Sequence, residues 1–167
     1  LAPDETFKWS AKTTTQLDGA EVTVLRLTSQ TWQGMKWRHW MHVIKPAEVT
    51  RPGHALLVIA GGDNRKDEPG PSIREVALLR DVAIRTGSVI AIVEQIPNQP
   101  LFDGKSEDEI VAYTFQQFLE TGDESWPARL PMTKSAVRAM DAVQAFAATE
   151  EAGKHTINNF VVSGGSK

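Results

Sequence analysis

Short apolar runs alternate with segments of helical periodicity, and this alternation constrains the fold most strongly. The runs lie within residues 54–60, 88–94 and 157–163, the last of which contains Phe160-Val161-Val162, and each is interpreted as a strand buried on both faces. Strands joined through helices of this length require right-handed crossovers. The sequence therefore predicts an α/β fold with a mainly parallel sheet and flanking helices.

The helical segments carry recognisable boundaries. The capping-box spacing occurs at Ser72 and Glu75, and again at Ser106 and Glu109, so a helix is predicted to begin at each. A third helix is predicted over residues 133–152. Glycines that suit the position just past a helix end follow the three segments: Gly87, Gly122 and Gly153.

An antiparallel strand pair is predicted before the parallel part. Residues 21–28 and 36–44 are rich in β-branched and aliphatic types and flank a polar stretch that contains Gly34. Three tryptophans cluster there: Trp32, Trp37 and Trp40. They could form a stacking platform for a ligand, although packing in the core or at a sheet edge is the commoner role.

Composition excludes several classes of site and partner. The chain has no cysteine, which excludes a disulfide framework, a zinc-thiolate or iron–sulfur site and a thiol nucleophile. Its net charge of −3 is spread along the sequence, so no nucleic-acid or membrane partner is expected. No cofactor is expected either. The apolar runs are too short to span a bilayer, and residues 1–4 lack the features of a signal peptide.

The last predicted strand leads directly into Gly164-Gly165-Ser166-Lys167. A buried strand followed by Gly-x-Ser is typical of a nucleophile elbow, because the sharp turn tolerates only small neighbours beside the serine. In that interpretation Ser166 is the nucleophile and the backbone N–H of Lys167 is one oxyanion donor. The alternative is an ordinary Gly-Gly turn after a strand.

A second glycine pair follows the first apolar run, at Gly61-Gly62-Asp63-Asn64. In a hydrolase with an elbow, this loop supplies the other oxyanion N–H, here from Gly62 or Asp63. The alternative is a solvated turn made of good turn-forming residues.

Other chemistry fits the sequence less well. A phosphate-binding P-loop needs lysine before the hydroxyl residue, whereas Ser166 precedes Lys167. His39 and His42 are predicted to point to opposite faces of one strand, so no metal site is expected, and His54 and His155 are interpreted as structural. Acidic side chains at the start of a helix interact favourably with the helix dipole, so Glu107 and Asp108 are interpreted as helix-start residues and not as a catalytic pair.

Several longer strings resemble one known family. They are Pro-Asn-Gln-Pro-Leu at 97–101, Trp-Pro at 126–127, Leu-Pro-Met-Thr-Lys-Ser-Ala-Val-Arg-Ala-Met-Asp at 130–141 and Gly-Gly-Ser-Lys at 164–167. These closely resemble the PhoPQ-activated pathogenicity-related proteins, which include autocrine proliferation repressors. The family is similar to α/β-hydrolases and typically exported. Its elbow has alanine where this chain has Gly165.

The resemblance implies a function for the whole protein. Residues 1–167 would be the N-terminal portion of a single α/β-hydrolase domain that ends at the elbow. The remainder of the polypeptide would stay bound, as one chain or as a separate one, and would supply the triad acid and histidine. The protein would be a secreted or periplasmic serine hydrolase acting on peptides or esters, with Asn98 and Gln99 in a candidate pocket loop. The alternative is a non-catalytic secreted signalling or binding protein on the same scaffold.

Overall fold

A six-stranded mixed sheet organises the residues that this computed structural model describes, which are 5–71 and 73–165. Within that part of the chain, three helices flank the sheet. In chain order, the elements are β1 Lys8–Leu17, β2 Ala20–Trp32, β3 Met35–Pro46, β4 His54–Ile59, α1 Arg74–Thr86, β5 Val89–Val93, α2 Glu107–Thr121, α3 Arg129–Ala147 and β6 Asn159–Gly164.

The predicted α/β class is confirmed, but the sheet is less parallel than expected. Its order is β1-β2-β3-β5-β4-β6. β4 pairs in parallel with β5 and β6, whereas the pairings β1–β2, β2–β3 and β3–β5 are antiparallel. The prediction of a mainly parallel sheet is corrected to a mixed one, because the antiparallel part has three strands rather than two.

The strand that sequence reasoning missed is β1. A two-residue loop joins Leu17 to Ala20, and Gly19 adopts a left-handed φ of 75° that a side chain disfavours. Asp-Gly between extended segments is a strong hairpin signal that could have revealed it. The run of polar residues Lys12–Thr15 concealed the strand, because its side chains are exposed or half-buried.

Helix α3 differs from the prediction at both ends. It begins at Arg129, before the predicted start at Thr133, and ends at Ala147, so Gly153 does not follow its end as predicted. Pro131 lies in its first turn, where the backbone N–H has no partner within the helix and proline is tolerated. For α2, the Ser106 N–H donates to Glu109 Oε2 at 3.2 Å, which confirms that predicted boundary. Ser72, the predicted start of α1, lies outside the described residues.

Two apolar layers cover the sheet. One lies between the sheet and α3 and includes Leu25, Met41, Leu57, Val143 and Phe146. The other lies between the sheet and α1 and includes Val22, Ile44, Val76, Ala83 and Ile90. Full burial of one such aliphatic side chain stabilises the fold by roughly 1.5–3 kcal/mol. No helix in the described ranges combines the length and apolar character needed to cross a membrane.

Burial differs among the three parallel strands. All five residues of β5 are buried, as predicted, and β4 is buried at Ala55 and Leu57. The prediction that the last strand is buried is wrong, since Val161 is 66% exposed and Val162 is 49% exposed. β6 lies at the sheet edge and pairs only with β4, which leaves its side chains uncovered by the described elements.

A buried polar network links β2, β3 and α3. His39 Nδ1 donates to the Glu94 carbonyl at 3.0 Å, and Ser29 Oγ lies 2.9 Å from His39 Nε2. Ser29 Oγ also lies 3.0 Å from Ser135 Oγ. Burial lowers the pKa of His39 to about 4, so the ring is neutral and its Nε2 accepts from the Ser29 hydroxyl.

The structural roles predicted for His42 and for the three tryptophans are also confirmed. His42 lies on the opposite face from His39, and its Nε2 donates to the Gly70 carbonyl at 3.1 Å. The three tryptophans are buried, with the Trp32 and Trp37 rings edge to face at 5.5 Å. They are packing residues and not an exposed platform.

Acidification is expected to destabilise the fold through His39. The unfolded chain binds a proton near pH 6.5 and the folded protein only near pH 4, so stability is lost as the pH falls through this window. Between these two pH values, the free energy of unfolding of the wild type should fall by about 3 kcal/mol more than that of His39→Gln. Urea unfolding at a series of pH values measures this difference, and parallel pH profiles for the two proteins would contradict it.

Two helix-ending glycines provide a matched test of packing. Gly87 and Gly122 both adopt left-handed φ and donate their N–H to the last turn of a helix. A Cβ at Gly87 would collide with Thr50 Oγ1, whereas a Cβ at Gly122 would meet open space. Gly122→Ala should cost about 1 kcal/mol of unfolding free energy. Gly87→Ala should cost roughly 1–3 kcal/mol more in urea unfolding, and equal costs would contradict the packing argument.

Candidate functional site

A cleft of about 590 Å³ opens at the carboxyl ends of β4 and β6. The carboxyl edge of parallel strands is where α/β sheets carry their ligand sites. The cleft is lined by the ends of these two strands and by side chains from the loop before α2, from α2 and from α3. These residues are Ile59, Ala60, Gly61, Ile96, Glu107, Met132, Val162, Ser163, Gly164 and Gly165.

Glycine at position 164 suits the close pairing of β4 and β6. Gly164 pairs with Ile59 on β4, and a Cβ there would lie 3.3 Å from the Ile59 carbonyl oxygen. A side chain would therefore crowd the Ile59 backbone at the cleft. Ser166 and Lys167, the predicted nucleophile and oxyanion donor, lie outside the described residues and stay predictions.

The loop after β4 is anchored by its carbonyl oxygens. The carbonyl of Ala60 accepts from the Ile96 N–H at 3.1 Å, and that of Gly61 accepts from the Gln95 N–H at 2.9 Å. The Asp63 carbonyl accepts from Gln95 Nε2 at 2.9 Å. Among the described residues, no acceptor pairs with the N–H groups of Gly61, Gly62 or Asp63. An anchored loop with unused donors is the arrangement that oxyanion binding requires.

Gln95 is the residue that holds this loop. Its side chain is 1% exposed, and its Oε1 accepts from the Trp40 backbone N–H at 3.0 Å while its Nε2 donates to Asp63. The residue has a positive φ of 66°, which turns the chain sharply after β5. Sequence reasoning missed Gln95, because one glutamine after a strand carries no periodic or motif signal.

Gly62 and Asp63, the oxyanion donors predicted in the loop after β4, are close to the cleft but do not line it. Gly61 borders the cleft, whereas Gly62 and Asp63 line an adjoining cavity of about 320 Å³. The Asp63 carboxylate accepts from Arg65 Nε at 2.9 Å, and this contact lowers its pKa to about 2. With its side chain held by Arg65, Asp63 has its backbone N–H to offer a ligand.

The predicted pocket loop has a different role at each residue. Asn98 is 3% exposed and donates from Nδ2 to the Arg38 carbonyl at 2.6 Å, so it connects the loop to β3 and does not line the cleft. Gln99 donates from Nε2 to Glu107 Oε1 at 2.7 Å and accepts from the Glu107 N–H at 2.8 Å. Gln99 therefore positions a residue that does line the cleft.

Glu107 brings a carboxylate to the cleft. It is the first residue of α2, as predicted from its place at a helix start, but it adopts a positive φ of 50°. A Cβ built on Gly61 would lie 3.8 Å from Glu107 Oε1, which places the carboxylate beside the anchored loop. No sequence signal separates Glu107 from Asp108, since the long loop before α2 decides which acid reaches the cleft.

Glu94 also lines the adjoining cavity, together with Asp63 and Glu75. Burial raises the pKa of Glu94, whereas nearby His42 opposes that rise. Glu94 Oε1 lies 3.7 Å from His42 Nδ1. Across the described ranges, histidine and carboxylate residues form no group that could hold a metal ion.

Comparison with known proteins agrees with this architecture. Residues 1–167 match the family described as PhoPQ-activated pathogenicity-related protein. Autocrine proliferation repressor protein A of Dictyostelium discoideum is 39% identical over 177 residues, which cover 99% of this chain and 35% of that protein. The chain therefore spans about a third of the length of this relative.

Solved structures show the same fold. Two structures of a glucuronoyl esterase from Solibacter usitatus superpose with TM-scores of 0.55 and 0.57 at 15% identity. Each superposition covers 99% of this chain and 47% of the esterase. The sheet and helices thus correspond to about half of an α/β-hydrolase fold, and the chain belongs to the PhoPQ-activated pathogenicity-related protein family.

Proposed function

We propose that the protein is a serine hydrolase that cleaves carboxylic esters, with Ser166 as nucleophile. The observation that carries this proposal is the anchored loop at residues 61–63, whose N–H groups have no acceptor among the described residues and whose Gly61 borders the cleft together with Gly164 and Gly165. Backbone donors fixed at the cleft would stabilise the oxyanion of a tetrahedral intermediate. The names of the structurally similar esterases support an ester over a peptide substrate.

The proposed reaction follows ordinary acyl transfer. The Ser166 hydroxyl attacks the ester carbonyl and gives its proton to a histidine, while the oxyanion accepts from the loop N–H groups and from Lys167. The histidine returns the proton to the departing alkoxide, and the alcohol leaves. Water then hydrolyses the acyl-enzyme, which regenerates the Ser166 hydroxyl and releases the acid.

The histidine base would come from another part of the polypeptide. His39 and His42 are buried and bonded to backbone carbonyls, and His54 begins β4 at the opposite edge of the sheet. None of the four histidines, all of which the structure describes, lines the cleft. The similar proteins are two to three times longer than this chain, so they have room for the missing base and acid.

The name of the Dictyostelium relative supports a second candidate, a secreted signalling protein without catalysis. In that case the cleft would bind a ligand and Ser166 would be a turn residue. The two candidates differ in whether Ser166 reacts with an electrophile.

Labelling of the intact protein by a fluorophosphonate probe tests the nucleophile. The wild type should be labelled, and Ser166→Ala should lose the label because the attacking oxygen is removed. Ser125→Ala, a change in the turn between α2 and α3, should keep it. A folded wild type that resists labelling would favour the signalling protein, as would persistent labelling of Ser166→Ala.

Weakening the loop anchor should slow the reaction. Gln95→Met removes the hydrogen bonds to Asp63 and Trp40, so the oxyanion donors lose their fixed position. We expect kcat on p-nitrophenyl acetate to fall about tenfold or more, with a smaller change in KM. Gln116→Met, on the exposed face of α2, should leave kcat unchanged. Equal kcat values for the two variants would show that Gln95 does not position the oxyanion donors.

A further inference from the structure

A groove of about 470 Å³ on the outer part of the sheet gathers four cationic side chains. It lies on β1, β2 and β3, and none of its lining residues also lines the cleft at the ends of β4 and β6. We call it the basic groove and define it by Lys8, Ser10, Lys12, Arg26, Thr28 and Arg38.

Strand register builds the basic groove. Thr28 on β2 faces Lys8 on β1 and Arg38 on β3, and Arg26 faces Ser10 in the next row. Residues directly opposite in a sheet share a face, so these side chains project to the same side. Thr28 is buried and forms the floor, while Lys8, Lys12 and Arg38 are exposed around it.

The positive charge of the groove is uncompensated. Within residues 5–71 and 73–165, no ion pair includes Lys8, Lys12, Arg26 or Arg38. Glu68 accepts a hydrogen bond from the hydroxyl of Thr13, the residue after Lys12, at 2.7 Å. Like charges placed together without a counter-ion raise the energy of the folded protein, and a bound anion would remove that cost.

Arg26 supplies the most specific feature. Its guanidinium carbon lies 4.2 Å from the centre of the Trp40 ring, which holds the planar group in one orientation. Its Nη1 is buried and has no hydrogen-bond acceptor among the described residues. Burial and the neighbouring Arg38 charge lower the pKa of Arg26. A guanidinium donor without a protein acceptor can be satisfied by an oxygen atom of a bound anion.

We propose that the basic groove binds a phosphate group. Two guanidinium groups, two ammonium groups and two hydroxyl groups offer donors for a multiply charged tetrahedral oxyanion, and guanidinium forks suit phosphate oxygens. A single carboxylate has one charge and two oxygens, so it would leave most of these donors unused. The phosphate is either the free ion or a group carried by a small organic molecule.

Titration calorimetry on the intact protein at low salt tests the proposal, with inorganic phosphate and glycerol 3-phosphate as probes. The wild type should bind at least one of them, and added salt should weaken the binding. Arg26→Gln and Arg38→Gln should each weaken it about tenfold, because each removes a charge-assisted hydrogen bond. Arg85→Gln has the same charge change near the end of α1, outside the groove, and should bind as the wild type does.

The outcomes separate the two sources of phosphate. Tighter binding of glycerol 3-phosphate identifies a carried group, and equal or tighter binding of inorganic phosphate identifies the free ion. Arg26 is partly buried, so Arg26→Gln could fail to fold. In that case Arg38→Gln and Lys8→Gln, on the exposed rim of the groove, replace it in the binding measurement. Absence of binding by the wild type, or equal weakening in Arg85→Gln, would overturn the proposal.

Discussion

The parallel pairing of β4 with both β5 and β6 is the constraint on which the rest of the structure depends. Because β4 lies between its partners, the turns after all three strands meet at one edge of the sheet. The loop after β4 and the end of β6 form the cleft, and the turn after β5 supplies Gln95. Gly164 permits the close approach of β6 to β4 at that edge.

Backbone hydrogen bonds, rather than side-chain charges, define the candidate catalytic site. The loop at Gly61–Asp63 is tied through its carbonyl groups to the turn after β5, which orders the donors before a ligand arrives. Preorganised donors stabilise developing charge without reorganisation at the moment of reaction. Glu107 and Glu94 add acids on either side of this loop.

Sequence patterns predicted the elements better than their burial. Apolar runs located β4 and β5, and the capping box at Ser106 located α2, because these signals depend on residues close together in the chain. Strand β1 was hidden by its polar residues. The exposure of β6 could not be predicted, because an apolar strand has the same composition whether or not a neighbour covers it.

The sequence by itself determined the α/β class, the family, and the glycines at the ends of β4 and β6, since periodicity and motifs are local properties of the chain. The tertiary structure alone decided that Gln95 anchors the loop and that Glu107 reaches the cleft. It also decided that four cations, spread along the sequence, share one groove. The physical reason is strand pairing, which places residues far apart in sequence on one face at distances fixed by register.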